Sequence, residues 1–183
     1  RRTDQVPGTD DASYRDVELD AGRQTILLKR ALTLDLGAVA KGLAVDAAAR
    51  ELQPFRDFCI DAGGDIYVGG RNGAGERWRI GVRHPRDSDQ LLERLQVSDC
   101  AVCTSGCYER GAHILDPRDA AAACSVASAT VIAPNAMLAD ALATATFVLG
   151  PTEGIALLER MGLQGLMVTP DLERHATRDF GRA

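Results

Sequence analysis

The chain has 183 residues, 45% of them apolar, and a net charge of −5, which suits one globular core of ordinary size. The acidic balance excludes a general nucleic-acid binder, which needs a basic surface. Apolar stretches are interrupted by Asp140 or by glycines before they reach bilayer-spanning length.

Residues 1–13 form a polar opening with Pro7, Gly8 and several acids. They read as a linker or frayed end, with no secretory-signal pattern. The folded portion is expected over residues 14–183. A strand over 14–19 pairs with one over 25–28 through a turn at Asp20-Ala21-Gly22. A helix rich in alanine covers 38–52 and stops before Pro54. Strands follow at 58–60 and 66–68 around the turn Asp61-Ala62-Gly63-Gly64-Asp65. Residues 69–75 are a glycine-rich loop, and 78–82 alternate as a strand. Strands are expected at 95–102 and 112–115, with Thr104-Ser105-Gly106 as a turn between them. Residues 120–123 read as loop and 125–132 as a strong strand. Pro134-Asn135 opens a second helix that ends at Gly150, and Pro151-Thr152 starts a third, to about residue 161. Residues 166–168 and 175–176 form a last hairpin. Strands mostly follow strands and helices cluster, so the expected fold is α+β, with mostly antiparallel sheets and a few packed helices.

Four places carry chemistry-bearing patterns. In Ala139-Asp140-Ala141-Leu142-Ala143-Thr144 the acid and the alcohol are four apart, hence neighbours on a helix. Two hard oxygens at that spacing suit part of a Mg²⁺ shell; the ordinary reading of such a pair in isolation is a solvated aspartate with a threonine bonded back to its own helix. In Asp35-Leu36-Gly37-Ala38-Val39-Ala40-Lys41-Gly42 a helix start with positive partial charge carries Lys41 one turn in, which suits a phosphate or pyrophosphate. Lys41 is one of only two lysines among 21 basic residues. The segment matches neither the Walker pattern nor GxGxxG, and a plain helix start with an exposed lysine is the alternative. Gly63-Gly64 allows close backbone approach to a ligand, or merely a tight turn. His113, heading a short strand, is a candidate general base or a histidine without a role; His84 and His175 read as structural.

Five cysteines, an odd number, define no disulfide framework. Cys100, Cys103 and Cys107 have spacing that zinc or an iron–sulfur cluster could use. A closed zinc site takes four ligands, however, and Cys59, Cys124 and His113 stand at no characteristic spacing. Buried small hydrophobes are the other reading.

Taken in order, four segments resemble the FAD:protein FMN transferases of the ApbE family. They are the stretch from Asp35 through Lys41-Gly42-Leu43-Ala44-Val45-Asp46, the turn Asp61-Ala62-Gly63-Gly64-Asp65-Ile66, Thr104-Ser105-Gly106-x-Tyr108-Glu109-Arg110 followed by His113-Ile114-Leu115-Asp116-Pro117, and the helix carrying Asp140 and Thr144. The resemblance implies a Mg²⁺-dependent enzyme that uses FAD as substrate. It would split the pyrophosphate and attach FMN to a Thr or Ser hydroxyl of an acceptor protein, with FAD hydrolysis as a side activity. It also implies side-chain metal ligation by Asp140 and Thr144, a backbone carbonyl from Ala38, FAD contacts at Asp35, Lys41 and Leu115, and His113 as base for the acceptor hydroxyl. Acceptors would be subunits of membrane redox complexes, and members are often exported and lipid-anchored. The family has a further N-terminal portion, with more FAD contacts, that these segments do not represent. The second reading is a flavin-binding module without turnover.

Overall fold

A computed structural model describes residues 12–106, 114–118, 121–123 and 125–181. The chain divides into two units, Arg1–Leu36 and Gly37–Ala183. In the first, Ser13 caps a single 3₁₀ turn, Tyr14–Asp16, with Asp16 bonding back to the Ser13 amide. Two strands then pair antiparallel, β1 (Val17–Asp20) with β2 (Thr25–Leu28). The expected strand over 14–19 therefore begins three residues late, because the Ser13–Asp16 capping box holds the start in a helical turn.

The second unit is built on a six-stranded sheet in which every neighbouring pair is antiparallel. Its strands are β3 (Phe58–Asp61), β4 (Ile66–Gly69), β7 (Cys100–Gly106), β8 (Ser128–Ala133), β9 (Gln164–Val168) and β10 (Arg174–Ala176). Their order across the sheet is β10-β9-β8-β7-β4-β3. A separate two-stranded ribbon, β5 (Trp78–Arg83) with β6 (Leu91–Val97), lies on one face. There Ile80, Val82, Leu95 and Val97 bury themselves against Val68, Val102 and Ile132 of the sheet. Two helices cover the other face: α1 (Gly37–Leu52) and α2 (Ala136–Arg160). Their shared core is mostly small, with Ala101, Cys103, Ala133, Ala136, Ala139 and Ala143 beside Val45, Leu142 and Leu158. Small side chains let the backbones approach closely. The expected α+β, mainly antiparallel architecture is the one found.

Local chemistry explains most element ends. Gly63 and Gly64 both have positive φ, +65° and +92°, as the two-residue turn between β3 and β4 requires. Asn135 caps α2 by accepting from the Leu138 amide at 2.9 Å. Gly150, at φ 82°, ψ 173°, interrupts α2, and Pro151 restarts it. The two expected helices thus run on as one broken helix.

Three expectations need correction. The single strand over 95–102 is two strands in different sheets. Asp99 takes a left-handed φ of 53° and turns the chain from the ribbon into β7, and aspartate tolerates that conformation. Thr104-Ser105-Gly106 is not a turn but the end of β7, paired with Thr130, Ala129 and Ser128 of β8. By length and composition α2 is apolar enough to cross a membrane, which counting Asp140 and the glycines as breaks had excluded; in this unit it packs on the sheet and α1. Of the strand expected over 112–115, the described part makes one isolated bridge, Leu115 with Ala122.

Carboxylates clasp the two helices together in both directions. Asp46 of α1 accepts from the first two amides of α2, Ala136 at 2.6 Å and Met137 at 2.9 Å. A negative charge on unpaired amides at a helix N-terminus is favourable. Asp46→Ala is expected to cost about 2 kcal/mol, read as a lower urea midpoint with an unchanged slope. An unchanged midpoint would show the clasp to be idle.

Candidate functional site: an oxygen cluster between two helices and the sheet

Asp140 is buried, 7% exposed, on the α2 face turned toward α1. Its Oδ2 accepts from the Gly42 amide at 3.0 Å. In a regular helix the Gly42 amide is the donor for the carbonyl four residues back, at Ala38. Asp140 therefore competes with Ala38 for one hydrogen. The contact requires Gly42: a Cβ there would lie 2.5 Å from the Ala136 carbonyl oxygen and 2.6 Å from Met137 Cα.

One turn further along α2, Thr144 Oγ1 lies 3.1 Å from Ser105 Oγ on β7. Its neighbour Thr146 does the opposite, donating back into its own helix to the Leu142 carbonyl at 2.7 Å. Among the described residues Thr144 makes no such back-bond, so that alternative for the acid–alcohol pair falls.

Lys41 and Asp65 complete the cluster. Lys41 Nζ stands 3.0 Å from Asp65 Oδ2 as an ion pair. Beyond that ion pair, this buried oxygen has no hydrogen-bond partner among the described residues. Burial pushes the Asp65 carboxyl above its ordinary range; Lys41 pulls it back and the charge of Asp140 raises it further. Burial likewise raises Asp140, opposed by the Gly42 amide and by Lys41. Cys103 sits among these groups, and burial followed by the charges of Asp65 and Asp140 pushes its thiol up.

Both carboxyls hold a proton more tightly in the folded chain than in the unfolded one, where aspartate titrates near about 3.9. In the window between that value and the raised ones the folded state binds more protons, so stability rises as pH falls. Glu93 and Asp116, held low by their bonds to Arg174 and Arg118, act in the opposite sense, so the comparison is with Asp140→Asn. In EDTA the urea midpoint of the parent relative to that variant is expected to climb as the pH falls toward the unfolded value. A difference that only declines contradicts the burial of this charge.

The Asp65 turn also borders a cleft of about 430 Å³ on the ribbon side of the sheet, lined by Asp61, Gly63, Gly64, Ile80, Arg83 and Thr104 among others. Thr104 and Ser105, being consecutive on a strand, face opposite sides. The same alternation separates two of the cysteines: Cys103 packs in the helix-side core and Cys100 against the ribbon-side core. Those two thiols cannot share one ion. Burial raises Cys100 to about 11.

The structure thus brings Lys41, Asp140 and Thr144 into one neighbourhood, with Ala38 one turn before Gly42. Asp35 belongs to the first unit, in the stretch preceding α1. Leu115 is 56% exposed at its isolated bridge, and His113 lies outside the described residues. Sequence reasoning gave no role to Asp46, Asp65 or Ser105. All three stood inside the motifs, but their partners are distant in sequence, so no local spacing marked them.

Fold and site together define an α+β protein with a buried carboxylate and a half-buried hydroxyl one helical turn apart, beside a lysine–aspartate ion pair. The ApbE family pattern matches residues 5–167; the chain belongs to the ApbE family. It is 37% identical to the FAD:protein FMN transferase of Treponema pallidum, over 86% of this chain and 51% of that protein. With the one from Vibrio cholerae identity is 34%, over 75% and 45%. Among solved structures, the ApbE protein of Thermotoga maritima aligns with a TM-score of 0.84 at 31% identity, covering 95% of this chain and 62% of that one. The flavin transferase ApbE of Vibrio cholerae aligns at 0.83 and 29%, covering 98% and 64%. The chain spans about half the length of the curated relatives it matches.

Proposed function

We propose that this chain carries the metal and pyrophosphate side of a flavin transferase that moves FMN from FAD to a Thr or Ser hydroxyl of an acceptor protein. The observation that supports it most is the turning of the Asp140 carboxylate and the Thr144 hydroxyl away from ordinary helix bonding, beside Lys41. Oxygen from an acid, an alcohol and a peptide carbonyl is the donor chemistry magnesium takes. Asp140 and Thr144 would hold the ion with their side chains. Ala38 would add its carbonyl, whose helical donor Asp140 partly claims. Bound there, the ion would neutralise charge on the pyrophosphate.

The chain's own groups divide the remaining work. Lys41, steered by Asp65, presents an ammonium to a phosphate. Asp35 and Leu115 would contact FAD. The acceptor oxygen forms a bond to the FMN phosphorus, the phosphorus–oxygen bond to AMP breaks, and His113 would take the hydroxyl proton. The relatives' names support the reaction class. Acceptors in membrane redox complexes, and FAD hydrolysis to FMN and AMP when water replaces the acceptor, belong to the same proposal. So does a folded catalytic portion over residues 14–183.

Incubating the chain with FAD, MgCl₂ and an acceptor bearing a flavinylation threonine tests this. Covalent, denaturation-resistant flavin fluorescence on the acceptor is expected. FAD binding without covalent transfer would instead favour a module that holds flavin without turnover, and neither binding nor transfer would contradict both.

A further inference from the structure

None of these roles uses Ser105, yet it is buried on β7, 9% exposed, with its Oγ 3.1 Å from Thr144 Oγ1. We propose that Ser105 is a positioning residue for the cation site, accepting the Thr144 hydroxyl hydrogen so that the lone pairs of Thr144 are left for the ion. The inference rests on the reading of Asp140 and Thr144 as magnesium ligands.

A hydroxyl has one hydrogen and two lone pairs. A threonine inside a helix usually spends its hydrogen on a carbonyl of the preceding turn, as Thr146 does. Thr144 directs its hydroxyl across to the sheet instead. An oxygen bound to a divalent ion loses electron density and becomes a stronger donor, so it needs an acceptor on its other side. Ser105 supplies one from a rigid place, since Thr104, Ser105 and Gly106 are all held in register by β8. Packing alone does not call for a hydroxyl here. Its register partner on β8 is Ala129, and the core beneath the helices is rich in alanine, so an alanine at 105 would suit the packing.

The test titrates MgCl₂ into EDTA-treated chain and follows the thermal midpoint for the parent, Ser105→Ala, Ser105→Thr and Asp140→Asn. Ser105→Ala is expected to need roughly tenfold more magnesium for the half-maximal shift, with its midpoint in EDTA close to the parent's. Ser105→Thr, which keeps the hydroxyl, is expected to titrate like the parent. A Ser105→Ala titration within about twofold of the parent, against that tenfold expectation, overturns the proposal. So does a loss that is equally large in EDTA, or a Ser105→Thr variant that matches the alanine. If the parent shows no magnesium response, or Asp140→Asn retains one, the cation reading fails and this inference with it. If Asp140→Asn abolishes the response and Ser105→Ala does not, only the role of Ser105 is lost.

Discussion

Asp140→Asn is expected to erase the response to magnesium while leaving the metal-free fold as stable as the parent or more so. The amide oxygen of asparagine can still accept from Gly42, so the link between α1 and α2 survives. What disappears is a negative charge that burial disfavours, as the raised carboxyl shows. Flavin transfer, by contrast, should fall by at least about 100-fold, since even an outer-shell partner of a metal contributes 10–100-fold. Thermal midpoints in EDTA and in magnesium, set beside transfer rates, separate the two effects. A variant that is destabilised without metal yet still stabilised by it would mean that Asp140 is a structural cap only. Asp140→Ala is the harsher change, because it also removes the oxygen that links α2 to the Gly42 amide of α1.

Gly42→Ala should be strongly damaging for a single added methyl. Alanine is ordinarily the better helix residue by about 1 kcal/mol. Here its Cβ would fall 2.5 Å from a backbone oxygen and 2.6 Å from a Cα, and neither can swing aside as a side chain would. The helices must part, and the Gly42–Asp140 and Asp46–Ala136 hydrogen bonds go with them. A net loss of about 3 kcal/mol or more is expected, read in urea unfolding. Serine should be no better. A Gly42→Ala variant within about 0.5 kcal/mol of the parent, the range of an ordinary surface change, would mean that the helices do not meet here.

Punctuation residues made much of the fold legible. Pro54 and Gly150 mark where helices stop or break, Asn135 where one starts, and Gly63-Gly64 where two strands turn. Each acts through its own backbone, so sequence shows it directly. The misreadings came where the deciding partner lies elsewhere. Thr104, Ser105 and Gly106 are small and polar and looked like a turn; Thr130, Ala129 and Ser128 of β8, all buried, hold them as strand. In the strand expected over 95–102, Asp99 falls where the next apolar residue after Leu95 and Val97 was due; that break in alternation is where the chain leaves one sheet for another. Within the site, the four-residue spacing of Asp140 and Thr144 was visible because helical geometry fixes it. The Asp46 clasp, across 90 residues, and the Ser105 contact, across 39, follow only from the tertiary packing.

The central claim is that Asp140, Thr144 and the Ala38 carbonyl surround one divalent ion. Crystals of the chain grown with FAD and Mn²⁺, an anomalous scatterer with magnesium-like ligand preferences, test it most directly. The account predicts one strong anomalous peak in contact with those three oxygens and with the flavin pyrophosphate. A peak at other ligands, or FAD bound with no ion beside Asp140, would contradict it.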